Sequence, residues 1–109
     1  MRPLYHPHKN DLSLAGVLYA LGDPVRLELV RQLAEKGELP CCAILSEPIA
    51  KSTLSHHFKV LRESGVIYSR KEGTQHMNSL RREDLDDRFP GLLTVVLKEV
   101  KAQAVKAPG

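Results

Sequence analysis

Apolar residues recur three and four positions apart along most of this chain, and each such run stops at a glycine or a proline. Leu14, Val17, Leu18 and Leu21 predict a helix over Leu12–Leu21, with Gly22 as its stop. Asp23-Pro24 then opens a second helix, an acid at the cap followed by proline at the first helical position, where its missing N–H costs nothing. Val25, Leu29, Val30 and Leu33 form its buried stripe, Glu28, Arg31, Gln32, Glu35 and Lys36 its wet side, and Gly37 ends it. A short third helix is expected from about Pro40 to Leu45, and Ser46-Glu47-Pro48 reads as a turn into a helix over Lys51–Ser64. There Leu54, Phe58 and Leu61 fall together at about 100° per residue, while Lys51, Ser52, Ser55, His56, Lys59, Arg62 and Glu63 take the opposite arc. Gly65 stands where a left-handed residue ends a helix.

Beyond Gly65 the period changes. Val66-Ile67-Tyr68 begins an extended run, Glu72-Gly73-Thr74 reads as a tight turn, and Gln75–Leu80 runs back as the second strand of a hairpin. Arg82–Arg88 is expected to make a helical turn, broken by Phe89-Pro90-Gly91. A last helix then covers Leu92 to about Val105, where Leu93, Val96, Leu97, Val100 and Ala104 follow an i, i+3, i+4, i+7, i+11 pattern. Residues 1–10, with two prolines and two histidines, read as an N-terminal arm ahead of one domain over 11–106. A chain of 109 residues supports one modest core, and with aromatics at 5% and no Trp that core is aliphatic. Asp23, Arg26 and Lys98 interrupt every candidate membrane span, and the N-terminus lacks the apolar stretch and cleavage site of a signal peptide. Two neighbouring cysteines make no secreted disulfide framework, so a cytoplasmic location is expected.

Charge sharpens the picture. The segment Lys51–Arg82 holds seven cations (Lys51, Lys59, Arg62, Arg70, Lys71, Arg81 and Arg82) against Glu63 and Glu72, a balance of +5, whereas the whole chain is +3. A helix face of hydroxyls, an imidazole and cations, with a basic hairpin beside it, suits a DNA groove. Short polar groups reach base edges and phosphates there, and Lys and Arg neutralise the backbone. An ordinary amphipathic helix with a solvated charged face is the alternative for the helix alone. No nucleophile elbow, phosphate loop or metal-protease helix is present, so catalysis is not expected.

Three stretches together resemble a known family. Leu21-Gly22-Asp23-Pro24-Val25-Arg26-Leu27-Glu28-Leu29-Val30 resembles the opening of the arsenic-repressor (ArsR/SmtB-type) winged helix-turn-helix regulators. Ser55-His56-His57-Phe58-Lys59-Val60-Leu61-Arg62-Glu63-Ser64-Gly65-Val66-Ile67 is similar to their recognition helix, and Arg70-Lys71-Glu72-Gly73 to their wing. The resemblance implies a mainly α fold of about five to six helices plus a two-stranded wing. It also implies a homodimer built largely from the first and last helices, and a repressor released from a near-palindromic operator by an inducer. On that pattern the DNA-binding residues are Lys51, Ser52, Thr53, Ser55, His56, Lys59 and Arg62 on the helix, with Arg70 and Lys71 on the wing. His57 matches the family's core histidine and is expected to be packed and hydrogen-bonded, and Arg26 to be a structural ion-pair partner.

Sensing is where the chain departs from metal-binding members. The last helix has no histidine, and Cys41-Cys42 lacks the usual spacer, so no metal or cofactor is expected. A site joining Cys41 and Cys42 to His6 and His8 remains an alternative, as does a thiol switch, since thiolate and imidazole together suit Zn(II). A Cys41–Cys42 disulfide would be strained, because adjacent Cα atoms lie about 3.8 Å apart and disulfides prefer roughly 4.4–6.8 Å. The remaining alternative is a winged helix used as a protein-interaction module.

Overall fold

A computed structural model describes residues 5–40 and 49–106. A 3-10 turn at Lys9–Asp11 leads into α1 (Leu14–Leu21), α2 (Pro24–Lys36) and β1 (Glu38–Pro40). Then follow α3 (Lys51–Glu63), β2 (Ile67–Glu72), β3 (Gln75–Leu80), α4 (Arg82–Arg88) and α5 (Leu92–Lys106). The helices follow the apolar periodicity closely. One boundary moves: α1 begins two residues later than expected, because Ser13 caps it, its Oγ accepting from Gly16 N at 3.0 Å. Leu12 is thereby released from the helix and buried against the end of α3.

The sheet has three strands where the hairpin alone was expected. β1 pairs antiparallel with β3, giving the order β1-β3-β2. Pro40, expected to start a short helix, instead closes β1. An edge strand tolerates proline because the missing donor faces away from the ladder. The rest of that expected helix and the Ser46-Glu47-Pro48 turn lie outside the described residues. A polar junction holds the three strands in register. Asn78 is buried opposite Ser69, takes its hydroxyl hydrogen at 2.6 Å, and donates to the Leu39 and His76 carbonyls at 3.3 Å. The Glu72–Gln75 pair closes the wing around Gly73-Thr74, where Gly73 has φ 63°.

Val17, Ala20, Leu21, Leu29, Val30, Leu33, Phe58, Leu61, Val66, Ile67, Leu85 and Leu93 form one aliphatic core with Phe58 as its aromatic member. At about 25 cal/mol per Å² of apolar surface removed from water, each such side chain stabilises the fold by roughly 1.5–3 kcal/mol before entropy is counted. The apolar stripe expected on α5 divides: Leu93 belongs to this core, while Val96 and Leu97 are only partly covered by it. On α1, Val17, Ala20 and Leu21 face inward, but Leu14 and Leu18 are each 48% exposed. No helix among the described residues is long and apolar enough to cross a membrane.

Arg26 ties three helices together from inside. Its buried guanidinium donates from Nε to Ala20 O at 2.6 Å and from Nη2 to Tyr19 O at 3.2 Å, at the last turn of α1, where Tyr19 O also accepts from Gly22 N. Nη1 meets His57 Nδ1 at 3.2 Å. A guanidinium has no acceptor, so Nδ1 of His57 must be the bare nitrogen of the ring. His57 is thus buried and hydrogen-bonded as expected. Arg26 is structural too, but its hydrogen-bond partners are two carbonyls and an imidazole in place of a carboxylate. The reason is geometric: Asp23 spends its Oδ2 on the backbone N–H groups of Val25 and Arg26, at 2.9 and 3.1 Å, as the cap of α2.

Two outcomes are expected from this packing. Gly65 has φ 88°, and a Cβ there would lie 2.0 Å from Leu12 Cδ2. Gly65→Ala should therefore cost about 2 kcal/mol or more in urea unfolding, combining left-handed strain with overpacking. Partial burial pushes the Asp23 carboxyl up, but the N–H donors of Arg26 and Val25, with the neighbouring His57 and Arg26 side chains, hold it below the ordinary carboxylate range. Its contribution is present above the unfolded value of about 4 and is lost as pH falls through the lower folded value. Urea titrations across the acid range should show a shallower loss of stability for Asp23→Asn, which keeps a cap but cannot titrate.

Candidate nucleic-acid interface

The outer face of α3 is built by its own period. Leu54, Phe58 and Leu61 are drawn toward the core together with His57, which leaves Lys51, Ser52, Thr53, Ser55, His56 and Lys59 exposed. Arg62 is half-buried at the far end of this face, its Nε enclosed without a hydrogen-bond partner. Ala50 precedes the helix and offers no side-chain cap, so the first N–H donors of α3 are not occupied by one. Neither Lys51 nor Lys59 takes part in an ion pair among the described residues. Among the described residues the face is cationic, rich in hydroxyls and exposed, which is what a helix needs to enter a groove.

The basic wing is less basic than its sequence. Arg70 and Lys71 are exposed on β2, but the Arg70 guanidinium is held by Glu72 through Nη1 and by Glu38 through Nη2, the latter at 2.6 Å. Arg81 is buried: it donates to Asp84 Oδ2 at 3.1 and 2.9 Å and to Pro7 O at 2.8 Å, and it stacks over the Tyr68 ring at 4.6 Å. Burial pushes the Asp84 carboxyl up, but the Arg81 and Tyr68 hydrogen bonds outweigh it and hold the group below its usual range. Arg82 faces Asp86 at 3.6 Å. Three of the seven cations counted along Lys51–Arg82 are therefore neutralised, and Glu38, Asp84 and Asp86, which do most of that, lie outside the segment. On α3, by contrast, Lys51 and Lys59 are exposed without an ion pair among the described residues.

The N-terminal histidines are engaged within the fold. His6 Nε2 accepts from Ser69 N at 3.0 Å, its ring 5.4 Å from that of Tyr68, and His8 Nδ1 accepts from Asn10 N at 3.1 Å. Cys41 and Cys42 lie outside the described residues. Among those described, no group of three or more His, Cys, Asp or Glu side chains could hold a metal ion. Residues that sequence reasoning missed here are Glu38 and Asn78. Neither carries a local signal, because each acts on a strand far away in the chain.

A helix-turn-helix domain matches residues 21–70, from the end of α1 into β2. The chain is 35% identical over 83 residues to an uncharacterised HTH-type transcriptional regulator of Methanocaldococcus jannaschii, covering 75% of this chain and 89% of that protein. It is 40% identical over 75 residues to the arsenical resistance operon repressor of Staphylococcus xylosus, covering 68% of this chain and 71% of the repressor. Its fold superposes on the crystal structure of the transcriptional repressor BigR from Xylella fastidiosa with a TM-score of 0.59 and 29% identity, over 88% of this chain and 87% of that one. On these likenesses, with five helices and a hairpin wing among the described residues, the chain belongs to the ArsR-type family of winged helix-turn-helix transcriptional regulators, a DNA-binding and non-enzymatic class.

Proposed function

We propose that the protein is a homodimeric, cytoplasmic repressor that grips a near-palindromic operator and lets go of it when an inducer binds. Lys51, Ser52, Thr53, Ser55, His56, Lys59 and Arg62 enter the major groove, and Arg70 and Lys71 reach the flanking backbone. The observation that carries this reading is the solvent face of α3, where the hydroxyls, the imidazole and the unpaired lysines stand together on one exposed surface. Hydroxyl and imidazole groups there supply base-edge and phosphate contacts, and the cations supply the salt-dependent part of the affinity.

Surface that the monomer leaves uncovered supports the dimer. Leu14, Leu18 and Tyr19 on α1 and Val95 on α5 are between 48% and 66% exposed, and both helices pack against α2. Large apolar side chains gathered on two helices support a self-complementary patch, and a two-fold pair would present two α3 helices to half-sites about 10 bp apart.

Two experiments test this reading. Lys59→Ala with Arg62→Ala should weaken binding to a duplex carrying the gene's own upstream sequence. The slope of log affinity against log salt should fall by about 0.9 for each phosphate that the variant no longer neutralises. An unchanged affinity and slope would remove that face from the interface. Leu18→Glu, at an exposed position that leaves the core untouched, should give a monomer by sedimentation with an unchanged circular dichroism spectrum. A variant that stays dimeric would show that α1 does not form the contact.

A further inference from the structure

The outer face of the three-stranded sheet carries an arrangement that the recognition-helix reading does not use. Directly opposed residues in a sheet share a face. Glu38 and Tyr68 both lie opposite Ser79, and Arg70 lies opposite Met77, so Glu38, Tyr68, Arg70 and Glu72 all project to the same side. The Arg70 side chain crosses β3 on that face. Its Nη2 donates to Glu38 Oε1 at 2.6 Å, and its Nη1 to Glu72 Oε2. One cation is shared by two carboxylates, so this group of three side chains has a net charge of −1.

We propose that Glu38 sets the DNA affinity of this protein by competing with the phosphate backbone for Arg70. This rests on the reading of Arg70 as a wing contact. A guanidinium recognises a carboxylate and a phosphate through the same fork of N–H donors, so Arg70 cannot serve Glu38, Glu72 and a phosphate with the same hydrogens. The guanidinium keeps three further N–H donors, so a phosphate either shares it with the carboxylates or displaces one of them, and in both cases two carboxylates stand beside the phosphates. The side chains of Arg70, Glu38 and Glu72 are 53%, 38% and 62% exposed. Exposed pairs of this kind shift an equilibrium by only about two- to five-fold, so the contact acts as a tuning weight that DNA can overcome and not as a lock. Glu38 is the informative partner. It comes from β1, 32 residues away in sequence, so its hold on the wing depends on β1 being paired to β3.

The test is a double-mutant cycle read by fluorescence polarisation at low ionic strength, on a duplex carrying the gene's own upstream sequence. Glu38→Gln keeps the shape of the side chain and the strand pairing, and equal melting temperatures would establish that the fold is kept. It should tighten binding roughly two- to five-fold, with the gain shrinking as salt is raised. Glu72→Gln should act in the same direction. Arg70→Ala should weaken binding, and in that background Glu38→Gln should have no further effect. Affinity that is unchanged or weaker in Glu38→Gln would overturn the proposal. So would a gain of the same size with Arg70 absent, because Glu38 would then act as a general negative charge and not through the guanidinium. A wild-type chain that does not bind the duplex at all would overturn the DNA reading itself, and this inference with it. A wild type that binds, with Glu38 uncoupled from Arg70, would overturn this inference alone.

Discussion

The buried Arg26 guanidinium is the interaction on which the arrangement of helices depends. An eight-residue α1 ends with carbonyls that its own backbone satisfies only in part: Tyr19 O accepts from Gly22 N, and Ala20 O accepts from a side chain. Arg26 answers two of them and turns its third nitrogen to His57, which sits on the inner side of the recognition helix. A buried acceptor left without a partner costs about 1–3 kcal/mol, and loss of the guanidinium would take the donor from Ala20 O and His57 Nδ1. Asp23 completes the set by capping α2, so that Arg26 enters the helix in the right rotation. The result couples the pose of α3 to the end of α1, the helix whose outer side is the apolar face left open.

Electrostatics in this molecule is a matter of pairing more than of totals. Arg81 contributes to the charge count of the Lys51–Arg82 segment, yet it works as a structural clasp between the start of the chain, the Tyr68 ring and α4. Arg70 points outward and is shared between two acids. What remains for a polyanion is the helix face, where the cations have no carboxylate within reach among the described residues. Part of the cationic charge counted along Lys51–Arg82 is thus spent inside the fold, holding the wing to the body.

Apolar periodicity likewise marks more than one destination. Val17 and Leu21 are drawn into the core while Leu14 and Leu18, on the same predicted stripe, stay in solvent. On α5, Leu93 is core and Val95, off the stripe, is 61% exposed. A stripe wider than one neighbouring helix can cover leaves a margin, as Leu14 and Leu18 do on α1.

Local physics determined a great deal of this protein from sequence alone. Helix starts and stops were legible because they rest on short-range chemistry: Asp23-Pro24 as cap and first position, Gly37 and Gly65 as positive-φ terminators, and Gly73 in a turn that needs φ above zero. The wing was legible from alternation, and the outer face of α3 from a period of 3.6, because both depend only on which neighbours a side chain has along one element. The third strand was not. Glu38-Leu39-Pro40 carries no strand signal of its own and becomes one because β3 offers an unpaired edge and Asn78 reaches for the Leu39 carbonyl. The partners of Arg26, the burial of Arg81 and the sharing of Arg70 were closed to sequence reading for the same reason. Each depends on residues brought together from separate elements, and which acid or carbonyl meets which guanidinium is decided by how those elements pack.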